Sequence, residues 1–272
     1  MTPERLVWLL AALIVLTGSL LTRWPRDLRN RNQWVQTLAG LAGVLLVGGL
    51  LWRSMATATW PGATLAERLA LLDMGALVAF SWWRGHAVRH GESGTRRSAA
   101  ALLAAAAVLA VAAALAFDPA ASEAGAFARE TWLPGLVEVV AGTGSGGLLT
   151  AFALSVTARR ASISPADAGV PLGLSAVRVP ALDAGRGAAL FCYPWLTAAV
   201  LLGAGRNLAA YATLWRGEPG ELWLLAAWLL AGAYLHLTSS WRPLRLPAWL
   251  PALLAALAFA AAFAATVTGS IA

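Results

Sequence analysis

Apolar residues in this chain gather into eight blocks, at about 6–21, 34–51, 69–83, 99–117, 132–157, 188–205, 222–239 and 246–267. Crossing the hydrocarbon layer takes about 20 apolar residues at 1.5 Å rise per residue, and the blocks are of that order. Their spacing decides the solvent. Of the 272 residues, 59% are hydrophobic and 12% charged, about half the charged share of a soluble domain. No single water-facing core could hide so much apolar surface. The expected fold class is therefore all-α: a polytopic transmembrane helix bundle of about eight helices, one domain over residues 1–272, with membrane lipid around it.

A net charge of +7 would suggest nucleic acid in a soluble protein. Here every basic residue is Arg, and the Arg sit in short loops between apolar blocks. That is a topology signal, because such loops stay in the cytoplasm, and no nucleic-acid partner is expected. The loops after blocks one, three, five and seven carry fourteen Arg, against six on the other side: Arg5, Arg53, Arg68, Arg129, Arg206 and Arg216. Both termini are thus expected outside, in a bacterial inner membrane. Trp24 and Trp241 on the inner side, with Trp52, Trp60, Trp132 and Trp223 on the outer, suit interfacial anchoring. The first block lacks a clean cleavage site and reads as a retained helix rather than a removable signal. The lone Cys192 lies inside an apolar run, which leaves no disulfide framework and no Cys-based metal site.

The fifth block holds the run Gly142-Thr143-Gly144-Ser145-Gly146-Gly147. Small residues four apart let another helix approach closely; a broken helix lining a cavity is the other reading. Close packing is the expectation. His86 and His90 stand four apart in an Arg-rich inner loop, with Glu92 as the only other ligand type nearby, and read as solvated loop histidines. Asp73 and Glu138 are the only acids inside the blocks that could serve a transport pathway, too few to make a transporter the leading reading.

The outward segment joining the sixth and seventh blocks is the most specific part of the chain. It carries Arg206, Tyr211, Trp215, Arg216, Glu218, Pro219, Glu221 and Trp223, and the seventh block continues with Trp228 and His236. Flat aromatic faces beside guanidinium groups suit a planar, hydrophobic ligand bearing carboxylates. An ordinary interfacial loop of Trp anchors and Arg–Glu pairs would have the same composition.

The order of these residues resembles the CcsA/ResC branch of cytochrome c assembly proteins, and more distantly CcmC. The signature of that branch runs P-L-L-T, G-A-x-W, W-G-x-Y-W-x-W-D-P-K-E-x-W, then W-x-x-Y-x-x-Y-L-H. Without a gap, Pro194 and Thr197 fall on its P and T, and Gly203-Ala204 on G-A. Trp215 falls on the middle Trp of the cluster, Glu218-Pro219 replaces D-P, and Glu221 and Trp223 match E-x-W. Trp228 and Leu235-His236 match the end. Arg53, Trp60-Pro61 and Glu67 also resemble that family's R-W…G-H-x-P…Y-E-S turn. The resemblance runs over about two thirds of the chain.

Departures are equally plain. Tyr211 stands where the first Trp of the cluster would be, Gly217 where the last would be, and Arg206 where the G-A-x-W Trp would be. The external His that the family carries near the start of the fifth helix is missing, and that stretch offers Glu138 instead; the second external His, at the end of the last helix, is missing too. The resemblance implies a haem-handling membrane component of cytochrome c biogenesis. In that reading His236 is an axial ligand of haem iron in the membrane, its mate lying on a ResB-type partner. Tyr211, Trp215, Trp223 and Trp228 would contact the porphyrin beside Glu218 and Glu221, Arg206 or Arg216 would meet its propionates, and apocytochrome c would be the client. The lost histidines motivate the alternative: a structural or accessory subunit of a larger membrane complex that keeps the fold without the haem.

Overall fold

Most of the apolar blocks continue as helix into the polar residues at one or both edges, because a turn of helix past the hydrocarbon still satisfies its own backbone. In the computed structural model the helices are α1 (Pro3–Arg23), α2 (Arg31–Thr57), α3 (Leu65–Arg89), α4 (Arg96–Leu115), α5 (Trp132–Ser162), α6 (Pro180–Tyr211), α7 (Pro219–Leu237) and α8 (Trp249–Thr268). The structure describes residues 3–23, 31–57, 60–89, 96–116, 132–162, 180–239 and 249–268. Trp24, Arg26, Arg29, His90, the acidic loop at 118–130, the loop at 163–179, and Trp241 with Arg242 and Arg245 lie outside the described residues, as do the side chains of His86 and Trp132. Among the described residues every regular element is a helix. Six of them, α1, α2, α5, α6, α7 and α8, are long and apolar enough to span a membrane. In α4 the apolar part is the shorter stretch Ala99–Leu115, and α3 carries Glu67, Arg68, Asp73 and Arg84 along its length.

Successive helices run in opposite directions. Gly18 in α1 faces Leu38 in α2, while Gly49 faces Trp8; the Ser19 hydroxyl donates to the Ala100 carbonyl of α4 at 2.9 Å. Helix α5 is the centre of the bundle. Its glycines alternate between two neighbours: a Cβ on Gly142 or Gly146 would strike the backbone of α3 at Leu71, Leu72 and Ala76, and one on Gly144 or Gly147 would strike Leu196 and Cys192 of α6. Residues two apart on a helix point about 200° apart, so α3 and α6 grip opposite faces of α5. The Gly run is thus a close-packed seam inside one continuous helix.

The remaining core fills around that seam. Trp8, Leu46, Leu72, Phe80, Trp83 and Leu103 are buried where α1 to α4 meet, and Val137, Leu148, Leu196, Leu224 and Ala262 where α5 to α8 meet. Toward one end of the bundle the Tyr234 hydroxyl of α7 meets Ser155 of α5 at 2.9 Å. The ends of α2 and α6 and the starts of α3, α5 and α7 share the opposite end. The α2–α3 and α6–α7 turns therefore lie on one side of the bundle.

Candidate functional site

The α6–α7 turn is shaped by one buried carboxylate. Pro219 occupies the first helical position of α7 after the N-cap residue Glu218, where a missing N–H costs nothing. That places Glu221 two residues later in the first turn, beside the positive end of the helix dipole. Its side chain is only 5% exposed. One carboxylate oxygen accepts from the Asn207 side-chain amide of α6. The other accepts from the backbone N–H groups of Arg216 and Gly217, at 3.0 and 3.1 Å. Three donors converge on one charged acceptor, each bond of this kind contributing about 1.5–3 kcal/mol when buried, so the turn is held at both ends and in its middle.

Two residues give the turn its shape. Ala212, just past α6, has φ 57°, and Gly217 has φ 73°. Both are left-handed conformations, which a glycine accepts freely and a bulky side chain resists. Gly217 is the position at which the related signature carries a Trp, and its backbone conformation accounts for the small residue here.

The sequence-predicted residues do not form one group. Tyr211, Arg216 and Glu218 form one surface group: the Arg216 guanidinium lies 4.1 Å above the Tyr211 ring centroid and pairs with Glu218 at 2.6 Å. Trp215, half-buried, lines a small cavity with Gly203, Ala204, Asn207, Glu221 and Leu224. Trp223 is exposed at the start of the second turn of α7, and Arg206 is half-buried near the end of α6.

Trp228 and His236 stand apart from that group. Trp228 lies deeper between α6 and α7, where its indole N–H donates to Thr197 at 2.9 Å and its ring stacks on Tyr193 with 6.0 Å between centroids. His236 lies 15 residues beyond Glu221, about 22 Å along α7, at the far end of the bundle. It shares the exposed face of α7 with Leu222 and Leu229, seven residues apart in each step. Among the described residues no three His, Cys, Asp or Glu come together as a metal site. Buried Asp73, with neither carboxylate oxygen hydrogen-bonded among the described residues, sits on α3 and not in the turn.

Asn207 and Thr64 were not singled out by sequence. Asn207 could have been found only through its spacing to Glu221, since nothing in the pattern of α6 marks it. A Thr three residues before a Glu at a helix start is a recognisable capping signature, however, and Thr64-Leu65-Ala66-Glu67 has it.

Comparison with known proteins places this architecture. A cytochrome c biogenesis protein CcsA from Guillardia theta is 41% identical over 63 residues, 21% of this chain and 21% of that protein. CcsA from Heterosigma akashiwo is 38% identical over 55 residues, covering 20% of this chain and 17% of its own. Among solved structures, cytochrome c haem lyase CcmF superposes with a TM-score of 0.58 at 16% identity, over 98% of this chain and 47% of CcmF. The chain is CcsA-like in sequence and CcmF-like in fold. No family model matches it. The matched segment spans about a fifth of the length of these curated CcsA proteins, and the chain spans about half of CcmF. It is a multi-pass membrane protein similar over part of its length to CcsA and in fold to CcmF, both named for cytochrome c assembly.

Proposed function

We propose that this CcsA-like chain handles haem during cytochrome c assembly, presenting it on the outer side of a bacterial inner membrane with both termini outside. The observation that carries the reading is the α6–α7 turn: an aromatic turn fixed by a buried carboxylate at the end of a membrane bundle. A turn held this way loses little conformational freedom when a ligand lies on it. Haem is the cargo, and it supplies the iron and the reactive vinyl groups. Tyr211, Trp215 and Trp223 supply flat apolar contact, with Arg206 and Arg216 near enough in sequence to meet propionates. Arg216 is already paired with Glu218 in a half-exposed bridge. Such a bridge is weak, so a propionate could replace that carboxylate at small cost. The other residues serve the cargo from a distance. Glu218 and Glu221 shape the turn, and Trp228 fixes α6 against α7.

His236 fits a ligand shared between subunits. Its imidazole is on the open face of α7, so a second axial ligand would come from a ResB-type membrane partner docking there, and an apocytochrome c would approach the aromatic end. The test is spectroscopic. The full chain, alone and with such a partner, is expected to show a low-spin Soret and α-band spectrum when purified from cells making haem. His236→Ala is expected to remove it, since an imidazole nitrogen bonds the iron directly. Haem at His236 and haem at the aromatic turn, about 22 Å apart along α7, are successive positions of the cargo, so Trp215→Ala is expected to leave the His236 spectrum in place and to weaken hemin binding at the turn.

A second reading rests on a specific observation. The aromatic turn and His236 stand at opposite ends of α7, and Glu138 occupies the stretch of α5 where the related family has its external His. A structural subunit that keeps the fold without haem accounts for both. Absence of haem from the chain under every condition, with His236→Ala leaving its assembly unchanged, would favour that alternative.

A further inference from the structure

The α2–α3 turn repeats the α6–α7 turn feature by feature. In each, a Glu in the first turn of the second helix is buried, Glu67 at 2% and Glu221 at 5% exposed. Each takes a side-chain donor from four residues before the end of the first helix, Arg53 before Thr57 and Asn207 before Tyr211, across a separation of 14 residues in both cases. Each also takes two backbone N–H groups of the turn: Gly62 and Thr64 at 3.1 and 3.3 Å, Arg216 and Gly217 at 3.0 and 3.1 Å. Each turn contains a left-handed glycine, Gly62 with φ 103° and Gly217 with φ 73°. Each carries a half-buried Trp shortly before its Glu, Trp60 and Trp215.

The two turns also share a location. They cap the same end of the bundle and flank α5, whose opposite faces are taken by α3 and α6. Trp60 rests on Gly135 in the first turn of α5, and Gly62 rests on Glu138 one turn later. A Cβ on either glycine would displace those side chains, so the fit is specific. The buried carboxylate and its donors suffice to hold each of these turns closed. Such closure does not require a Trp in the turn, and the same end of the molecule has one in both.

We propose that the α2–α3 turn is a second aromatic clasp of the outward site, taking the same flat apolar ligand as the α6–α7 turn, with Glu67 as its positioning residue. This rests on the haem-handling reading and adds Trp60 and Glu67 to it. Glu67 acts through Trp60: with Arg53 it fixes the turn that sets the indole over the outer end of α5.

Hemin added to the full chain in detergent is the probe. Cys192 is fully buried, so Ala63→Cys in one turn and Thr213→Cys in the other can each be labelled selectively with a water-soluble maleimide. Hemin is expected to slow labelling at both positions. Trp60→Ala is expected to weaken hemin binding roughly three- to tenfold, the size of an aromatic face contact, as is Trp215→Ala, while Trp60→Phe restores most of it. Glu67→Gln is expected to weaken hemin binding and to speed labelling of Ala63→Cys before hemin is added. Shielding at Thr213→Cys alone, with Trp60→Ala binding as wild type, overturns the second clasp and leaves the haem-handling reading standing. A Glu67→Gln protein that melts earlier but binds hemin unchanged overturns the positioning role. No hemin binding and no shielding at either turn removes the haem-handling reading, and this inference with it.

Discussion

Ala212 shows how much one backbone angle can settle. It ends α6 in the left-handed region, at φ 57°, where a Cβ crowds the following carbonyl and costs about 1–2 kcal/mol. Its N–H still bonds to the Leu208 carbonyl at 3.0 Å, so the conformation serves the helix end, as a glycine there commonly does. Ala212→Gly is expected to raise stability by about 1 kcal/mol, the strain relieved less the entropy a glycine adds to the unfolded chain. A thermal melt in detergent checks it, and an unchanged or lower midpoint would mean the turn relaxes around Ala without strain. Glu221 is instructive for a different reason. As a sequence position it belongs to a ligand-facing motif; in the structure its oxygens are engaged by Asn207, Arg216 and Gly217. The difference is geometric, because a bond across 14 residues of helix and turn leaves no periodic trace.

Among the helices, α5 has the least freedom to change. Its glycines admit backbone on two sides, and without a hydrophobic drive between helices in lipid, such contact supplies much of the association. Gly146→Leu is expected to destabilise the bundle by about 3 kcal/mol or more, since overpacking alone costs up to about 3 kcal/mol and here the obstruction is backbone of α3. Gly205→Leu on α6 meets nothing within 4 Å and is expected to leave the melting temperature nearly unchanged. Equal effects from the two would show that the α3–α5 seam can open at little cost. The Gly-rich composition suggested close packing from sequence. Which helices met there, and that they took opposite faces, followed only from the fold.

At the scale of the whole molecule, direction matters most. The Arg bias of the sequence predicts a cytoplasmic side for the loops after α1, α3, α5 and α7, and the α2–α3 and α6–α7 turns share one end of the bundle. A periplasm-active reporter inserted after Ala63 or after Thr213 is expected to give signal, and one fused after Ser239 is expected to give none. The reverse pattern would turn the aromatic turns to the cytoplasm and remove the outward site. The same insertion after Ala63 and Thr213 must agree, because the alternation of helices leaves both turns on one side; disagreement would mean that one helix between them fails to cross.

Sequence by itself determined the solvent, the helical class, the approximate blocks and the aromatic segment between α6 and α7. These follow from composition, run length and local order, all of which are properties of neighbours along the chain. Tertiary structure decided the rest. It made α5 the central helix, set Trp228 between α6 and α7 while Trp215 stayed near the end, and placed His236 on an open face about 22 Å from Glu221 along α7. It also revealed that Arg53 and Glu67 build the same turn as Asn207 and Glu221. Such facts depend on which residues meet across helices, and the hydrophobic pattern of a membrane span is nearly uniform around its circumference. A helix apolar on every side does not announce which side faces its neighbour.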